Sequence, residues 1–158
     1  MNQPPQPSSL KEQMGNILEE ARMVLPGVQA LFGFQTVAVF NQRFDELAAA
    51  AKAAHVVALL SVVVAIGLVM MPAAWHRMVE PHQVSATTVS LASRMICCAL
   101  FPLAVGVALD IYVVLLVASD SAALSISLAV LTLLLLLGLW FLIPSSWRSR
   151  KKRGLRRS

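Results

Sequence analysis

The sequence predicts an all-α, polytopic membrane protein with four transmembrane helices preceded by an amphipathic interfacial helix. Of its 158 residues, 58% are hydrophobic and only 13% are charged, and the mean hydropathy is +0.72. A soluble domain usually has ~45–50% apolar and ~25% charged residues. The apolar residues also form long uninterrupted runs, and helices that are hydrophobic on every side need lipid or a larger core than this chain can build.

The first 25 residues are polar, and we expect them to stay outside the bilayer. Residues 1–8 are rich in proline and are predicted to be disordered. From Leu10 the apolar positions recur at helical spacing, with charged residues such as Glu19 and Arg22 on the other face. This pattern predicts an amphipathic helix over 9–25 that lies on the membrane surface or against partner helices.

Four apolar runs then form a predicted membrane domain over 26–144. Pro26-Gly27 is expected to change the chain direction near the start of the first run, which has only 17 residues. That length is at the short limit for the ~30 Å hydrocarbon core, so a re-entrant segment is the alternative to a span. The predicted spans cover 24–40, 55–74, 95–118 and 122–143.

The second predicted span carries small residues at a helical spacing, at positions Ala54, Ala58, Ser61 and Ala65. Small residues on one face let a neighbouring helix approach closely. We therefore expect another helix to pack on this face. No heptad run and no repeat of fixed period is seen in the sequence.

The basic residues predict the orientation in the membrane. Four spans place both termini on one side, and with the C-terminus inside, eleven Lys and Arg residues lie inside and two lie outside. The positive-inside rule favours that orientation. We expect the tail over 145–158 to be cytoplasmic and to contact anionic headgroups of the inner leaflet, not nucleic acid. Its basic residues are Arg148, Arg150, Lys151, Lys152, Arg153, Arg156 and Arg157.

Asp110 is the main candidate functional residue, because it is a carboxylate within the third predicted span. A charge at the centre of a membrane helix costs ~2.5–3.5 kcal/mol on insertion scales, so Asp110 should face protein or water. Pro102 and Gly106 lie on the same helix face at four-residue spacing. Proline cannot bond the carbonyl of Cys98, which leaves that oxygen available on the same side of the helix as Asp110.

Gln29 and Thr36 share a face of the first predicted span, whereas Gln35 points elsewhere. Together with Asp110, Gly106 and Pro102, they form a candidate proton or cation pathway. The alternative is structural: these groups make interhelical hydrogen bonds, and Asp110 pairs with Tyr112 or Arg43 or reaches toward the outer surface. His55, at the start of the second span, either titrates or lies at the outer headgroups.

A second polar cluster lies at the inner turn between the second and third spans, and consists of His76, Arg77, Glu80 and His82. The spacing matches neither H-E-x-x-H nor a facial triad, so we expect no metal there. Arg77 and Glu80 are three residues apart and should form an ion pair at the helix end. No phosphate loop, nucleophile elbow or paired carboxylates are visible, so we expect neither an enzyme nor a cofactor.

Two stretches carry a resemblance to a known family. They are LPGVQALFGF over 25–34, followed by Arg43-Phe44, and PAAWHR over 72–77. They resemble an uncharacterised family of small bacterial four-helix membrane proteins, a domain of unknown function sometimes labelled sodium:proton antiporter-like. The resemblance covers about 15–118. It implies a bacterial inner membrane and favours ion transport.

Two hypotheses for function follow. In the first, several copies assemble into a homo-oligomer in which Asp110 lines a proton or cation route. One copy with four spans is too small to enclose a site alone. In the second, the protein is a non-catalytic membrane scaffold or an accessory subunit of a larger complex. Its amphipathic helix and basic tail would then hold a partner or anionic lipid at the inner surface.

Overall fold

All the regular elements in the described part of the chain are helices. The structure is a computed structural model, and it describes residues 9–80 and 83–147. The elements are α1 (Leu10–Ala38), α2 (Gln42–Asp45), α3 (Ala49–Val79), α4 (Ala86–Ser119) and α5 (Ala122–Leu137), after which a π-helical turn covers Gly138–Leu142. The all-α prediction is confirmed for these residues. The segment predicted to be disordered (1–8), the basic residues of the tail (148–158) and positions 81–82 lie outside them.

Three helices are long and apolar enough to cross a membrane: α3, α4, and α5 continued to Trp147. They contain the second, third and fourth predicted spans, so the chain is a helical membrane protein. α3 and α4 have 31 and 34 residues. At 1.5 Å per residue they are ~46 and ~51 Å long, which exceeds the ~30 Å hydrocarbon core. Their ends therefore extend into the headgroup region or the water.

α1 is one continuous helix and differs from the prediction of two separate segments. It begins where the Ser9 hydroxyl accepts a hydrogen bond from the Glu12 N–H (3.3 Å), and it continues through Pro26 to Ala38. An internal proline removes one backbone hydrogen bond and often kinks a helix. Here α1 packs against Val69 of α3 and Ala99 of α4 before Pro26 and bonds Asp110 of α4 after it, and these contacts support the continuous helix. The predicted boundary between 25 and 26 is therefore not a break in the structure.

The packing of α1 has a seven-residue period. Its buried residues are Met14, Ala21, Val28 and Gln35. Three of them, Met14, Ala21 and Gln35, meet α4 in turn near Ala92, Ala99 and Asp110. Residue numbers thus rise together in the two helices, which makes α1 parallel to α4. The polar half of α1 lies alongside the first part of α4.

The core of the bundle is the interface of α3 and α4. The buried residues of α3 alternate in steps of four and three, and they are Ala51, His55, Ala58, Val62, Ala65, Val69 and Pro72. This is a heptad seam, which the sequence analysis missed because small residues take the place of the usual leucines. At Gly106 of α4, a β-carbon would lie 2.8 Å from Val62 Cγ2 and 3.2 Å from the carbonyl oxygen of Ala58. The two helices approach this closely because Gly106 has no side chain.

α4 and α5 form an antiparallel hairpin around Asp120, which has a left-handed backbone (φ 53°) and donates its N–H to the Leu116 carbonyl (3.1 Å). α5 buries only Ser125 and Ala129, while most of its large apolar side chains are exposed. One end of the bundle carries α2 and this hairpin turn, and we call it the α2 end. The opposite end carries the connection between α3 and α4.

Candidate functional site

A hydrogen bond joins α1 to α4 near the α2 end. The side-chain amide of Gln35 donates from Nε2 to Oδ2 of Asp110 at 2.6 Å. Gln35 is only 3% exposed, and Asp110 is half-buried. A bond from an amide to a carboxylate is stronger than one between neutral groups, particularly where water is scarce. Asp110 therefore faces protein, as a carboxylate within a membrane helix should.

His55 of α3 is the third member of this group, which we call the Asp110 cluster: Gln35, His55 and Asp110. His55 is 3% exposed and lies close enough to Asp110 for the two side chains to interact electrostatically. The ring of Phe44 packs edge-on against the imidazole, with centroids 5.0 Å apart and planes at 71°. Three helices thus each contribute one polar side chain to a single place.

Two atoms of the Asp110 cluster are buried and have no hydrogen-bond partner among the described residues. They are Oε1 of Gln35 and Nε2 of His55. Leaving a buried polar atom unpaired costs ~1–3 kcal/mol, so such atoms are uncommon in folded proteins. The amide oxygen can accept a hydrogen bond from a water molecule, and the imidazole nitrogen can exchange a proton. These two atoms distinguish the cluster from a simple interhelical contact.

The residues predicted to form a pathway are only partly brought together. Gly106 is buried one turn before Asp110, and Pro102 is half-buried one turn earlier. Gln29 and Thr36 lie on the exposed side of α1, where the Thr36 hydroxyl donates to the carbonyl of Phe32 (2.9 Å). The seven-residue packing period of α1 turns these two residues outward, so they do not join the Asp110 cluster, and their part in a pathway stays a prediction.

Sequence reasoning missed Gln35 and misjudged His55. Gln35 had been assigned to another face, although continuing the period from Val28 by seven residues would have found it. The expectation that His55 lies at the outer headgroups is not met, because its side chain is buried in the α3 seam; the alternative, that His55 titrates, stays a prediction. Arg43, considered as a partner of Asp110, instead donates from Nη1 to the Val117 carbonyl (3.3 Å).

Between the Asp110 cluster and the Glu80 and Thr88 side chains at the opposite end, the buried residues described are apolar. Val28, Val62, Ala65 and Ala104 are among the buried residues there. Ser125, which is also buried, donates its hydroxyl to a carbonyl of its own helix, so it offers no step toward that end. Within the described residues, one copy of the chain thus has no continuous polar route from the cluster to the other end.

The polar cluster at the opposite end caps a helix. The Glu80 carboxylate accepts hydrogen bonds from the Ser85 N–H (3.0 Å), the Ser85 hydroxyl (3.0 Å) and the Thr88 hydroxyl (2.9 Å). Ser85 is the N-cap of α4, whose first N–H groups lack partners within the helix and attract an anion. The Ser85 N–H, followed by the Thr88 hydroxyl, lowers the pKa of Glu80 below its ordinary value.

The other predicted members of that cluster do not join this network. Arg77 is exposed, and the expected ion pair with Glu80 gives way to the bonds that Glu80 makes with α4. His76 is half-buried, and its Nδ1 has no partner among the described residues. His82 lies outside the described residues. No group of three His, Cys, Asp or Glu side chains able to hold a metal occurs in the described part of the chain.

The fold and the Asp110 cluster define a class: a helical membrane protein with a polar cluster buried where three helices meet. Within that class, the chain belongs to a family of unknown function, DUF6328, whose model matches residues 6–144. The resemblance to an uncharacterised family is therefore confirmed, whereas the match names no activity and leaves the antiporter label an expectation. No curated protein and no solved structure matches the chain.

Proposed function

We propose that the protein carries protons across a bacterial inner membrane as a homo-oligomer, with the Asp110 cluster as the site that binds and releases the proton. One observation carries this proposal: a carboxylate is bonded to a buried amide, beside a buried imidazole with an unpaired nitrogen. Carboxylates and imidazoles exchange protons readily, and ionisable residues within membrane segments commonly belong to ion or proton pathways.

A proton suits this cluster better than a metal cation does. Hard cations such as Ca²⁺ and Mg²⁺ are held by about six or more oxygen ligands. The Asp110 cluster offers one carboxylate, already bonded to the Gln35 amide, and one free amide oxygen. A proton needs only one acceptor atom at a time, which the Asp110 carboxylate and the His55 imidazole both provide.

The proposal includes α1 as a fourth membrane crossing. α1 lies against α4 as far as Asp110, so its second half is at the depth of two helices that can cross a membrane. That half exposes large apolar side chains, including Phe34 (76%) and Val37 (65%), which suit contact with lipid. Four crossings would put both termini on one side, and the distribution of basic residues favours the cytoplasm for that side.

The homo-oligomer provides the part of the route that one copy lacks. Because the described interior beyond the cluster is apolar, protons would have to continue along a surface between copies. Gln29 and Thr36 are exposed on α1 and could contribute polar groups to such a surface. Pro102 and Gly106 would then act by shaping α4, and the basic tail would hold the assembly at anionic headgroups.

The test is proton flux into proteoliposomes under an imposed gradient. We compare the unmodified chain with Asp110→Asn, and with Glu19→Gln as a control, because Glu19 is an exposed carboxylate in the first half of α1, away from the Asp110 cluster. Loss of flux in Asp110→Asn alone is the expected result. Equal flux in all three proteins would remove Asp110 from the path, and no flux in the unmodified chain would refute transport.

A scaffold or accessory subunit is the second candidate, and the apolar interior favours it. If Asp110 serves only to bond Gln35, no route to the opposite end is needed. Asp110→Asn would then leave function intact. Recovery of one stoichiometric partner from native membranes, together with an absence of flux, would support this function in place of transport.

A further inference from the structure

The Asp110 cluster has a cover at the α2 end. α2 is a four-residue helix between α1 and α3, and its Phe44 ring packs against the imidazole of His55 at 5.0 Å. His55 is almost fully buried, although it is only six residues from the start of α3. Phe44 thus lies on the side of His55 that faces α2.

Side-chain bonds hold α2 in place from both neighbouring elements. Arg43 reaches α4 and donates to the carbonyl of Val117 (3.3 Å), while Lys52 of α3 donates to the carbonyl of Asp45 (2.9 Å). Val117 is in the last turn of α4, where carbonyls lack partners within the helix and the helix dipole attracts a cation. Both bonds are exposed, so water can replace them at little cost.

A polar basin adjoins the Arg43 bond. Its volume is about 270 Å³, and Arg43 and Val117 are both in its wall. The residues that line it are Arg43, Glu46, Leu47, Leu116, Val117 and Asp120. The basin therefore lies directly beside the contact that keeps α2 against α4.

We propose that α2 is the gate of the Asp110 cluster at this end. Phe44 is the cover, the bond from Arg43 to Val117 is the latch, and the basin is the entrance. When the latch opens, α2 turns on the short connections at 39–41 and 46–48 and moves Phe44 away from His55. The biological role of this gate rests on the proposed function, but access to the cluster can be measured without any transport.

The experiment measures how fast buried cysteines react with a membrane-impermeant thiol reagent, a quaternary-ammonium methanethiosulfonate, in sealed vesicles. The native thiols are first removed by Cys97→Ser and Cys98→Ser. Two reporters are used separately: His55→Cys in the cluster, and Ala51→Cys, which is buried one turn nearer α2 and retains His55. Gln42→Cys on the exposed side of α2 shows that the reagent reaches this end.

With the latch intact, both buried reporters should react much more slowly than Gln42→Cys. Arg43→Gln should raise their rates about two- to tenfold, since it removes one exposed hydrogen bond. Phe44→Ala should raise them at least as much. Arg94→Gln is the control, because it removes an exposed arginine far from α2 and should change neither rate.

If Arg43→Gln and Phe44→Ala both leave the reaction rates of the buried reporters unchanged, the gate is overturned. Rates as fast as that of Gln42→Cys with the latch intact would also overturn it, because the site would then be open already. A failure of proton flux bears only on the proposed function. The two proposals can therefore fail independently.

Discussion

The bond between Gln35 and Asp110 predicts a strong energetic coupling between α1 and α4. Gln35→Leu leaves the half-buried Asp110 carboxylate without its amide donor, and Asp110→Leu leaves a buried amide without its acceptor. Each loss costs ~1–3 kcal/mol when the remaining group stays buried. Interhelical hydrogen bonds in membranes average ~0.6 kcal/mol and reach ~1.7. Because Gln35 is buried and Asp110 is charged when ionised, we expect each single variant to lower the free energy of unfolding by about 2 kcal/mol.

The double variant distinguishes coupling from two independent losses. Replacing both members of a buried polar pair by apolar residues of similar size removes the unpaired groups as well as the bond. We therefore expect the double variant to lose about 2 kcal/mol in total, against about 4 for two independent sites, which gives a coupling of about 2 kcal/mol.

The assay is reversible unfolding in mixed micelles with increasing amounts of a denaturing detergent, followed by circular dichroism. Gln29→Leu on the exposed side of α1 is the matched control and should change stability by less than about 0.5 kcal/mol. If the double variant loses the sum of the two single losses, Gln35 and Asp110 do not interact and the description of the cluster is incorrect.

Three further predictions use the same unfolding assay. Gly106→Ala should lower the free energy of unfolding by about 1–3 kcal/mol, because its β-carbon would overlap Val62. Gly67→Ala meets open space and should raise the free energy of unfolding by up to about 1 kcal/mol. Equal effects of the two substitutions would contradict the close approach of α3 and α4. Ser85→Ala should cost about 1 kcal/mol by removing the N-cap of α4, and a neutral result would contradict the capping role. The pKa of Glu80 is lower in the folded chain than its ordinary value of 4.5, so its contribution to stability is complete above that pH and is lost as the pH falls through the folded value. Glu80→Gln should reduce the loss of stability in acid. A pH profile of stability that is the same in both proteins would contradict the role of the Glu80 carboxylate.

The membrane helices were predictable because lipid imposes a simple requirement on composition. α3, α4 and α5 contain three of the predicted runs, since a helix surrounded by lipid must be apolar along its whole exposed length. Hydropathy alone does not locate their ends. α4 begins at Ala86, well before the apolar run, because Ser85 and Glu80 cap its polar first turn. Capping depends on a few polar contacts that hydropathy does not register.

The candidate site was predicted only in part. Asp110 was recognisable, because a carboxylate is rare within an apolar run. Its partner depends on the rotation of α1, which small residues such as Ala21 determine by packing, not by a visible stripe of leucines. The contact of Phe44 with His55 depends on the path of a short connection, for which the sequence carries no periodic signal. The break expected at Pro26 failed because tertiary packing outweighed a local rule.

The sparse packing of α5 has a consequence for how freely its sequence can change. Only Ser125 and Ala129 are buried, and side chains such as Leu131 (58% exposed) and Leu134 (62% exposed) are turned mostly to the surroundings of the bundle. At those positions the bilayer selects for hydrophobicity alone, so leucine, isoleucine, valine and phenylalanine are nearly interchangeable. Substitutions should therefore accumulate along the outside of α5 without loss of the fold. The mutational sensitivity of that helix is concentrated in two small residues, where any larger side chain would push it away from α4.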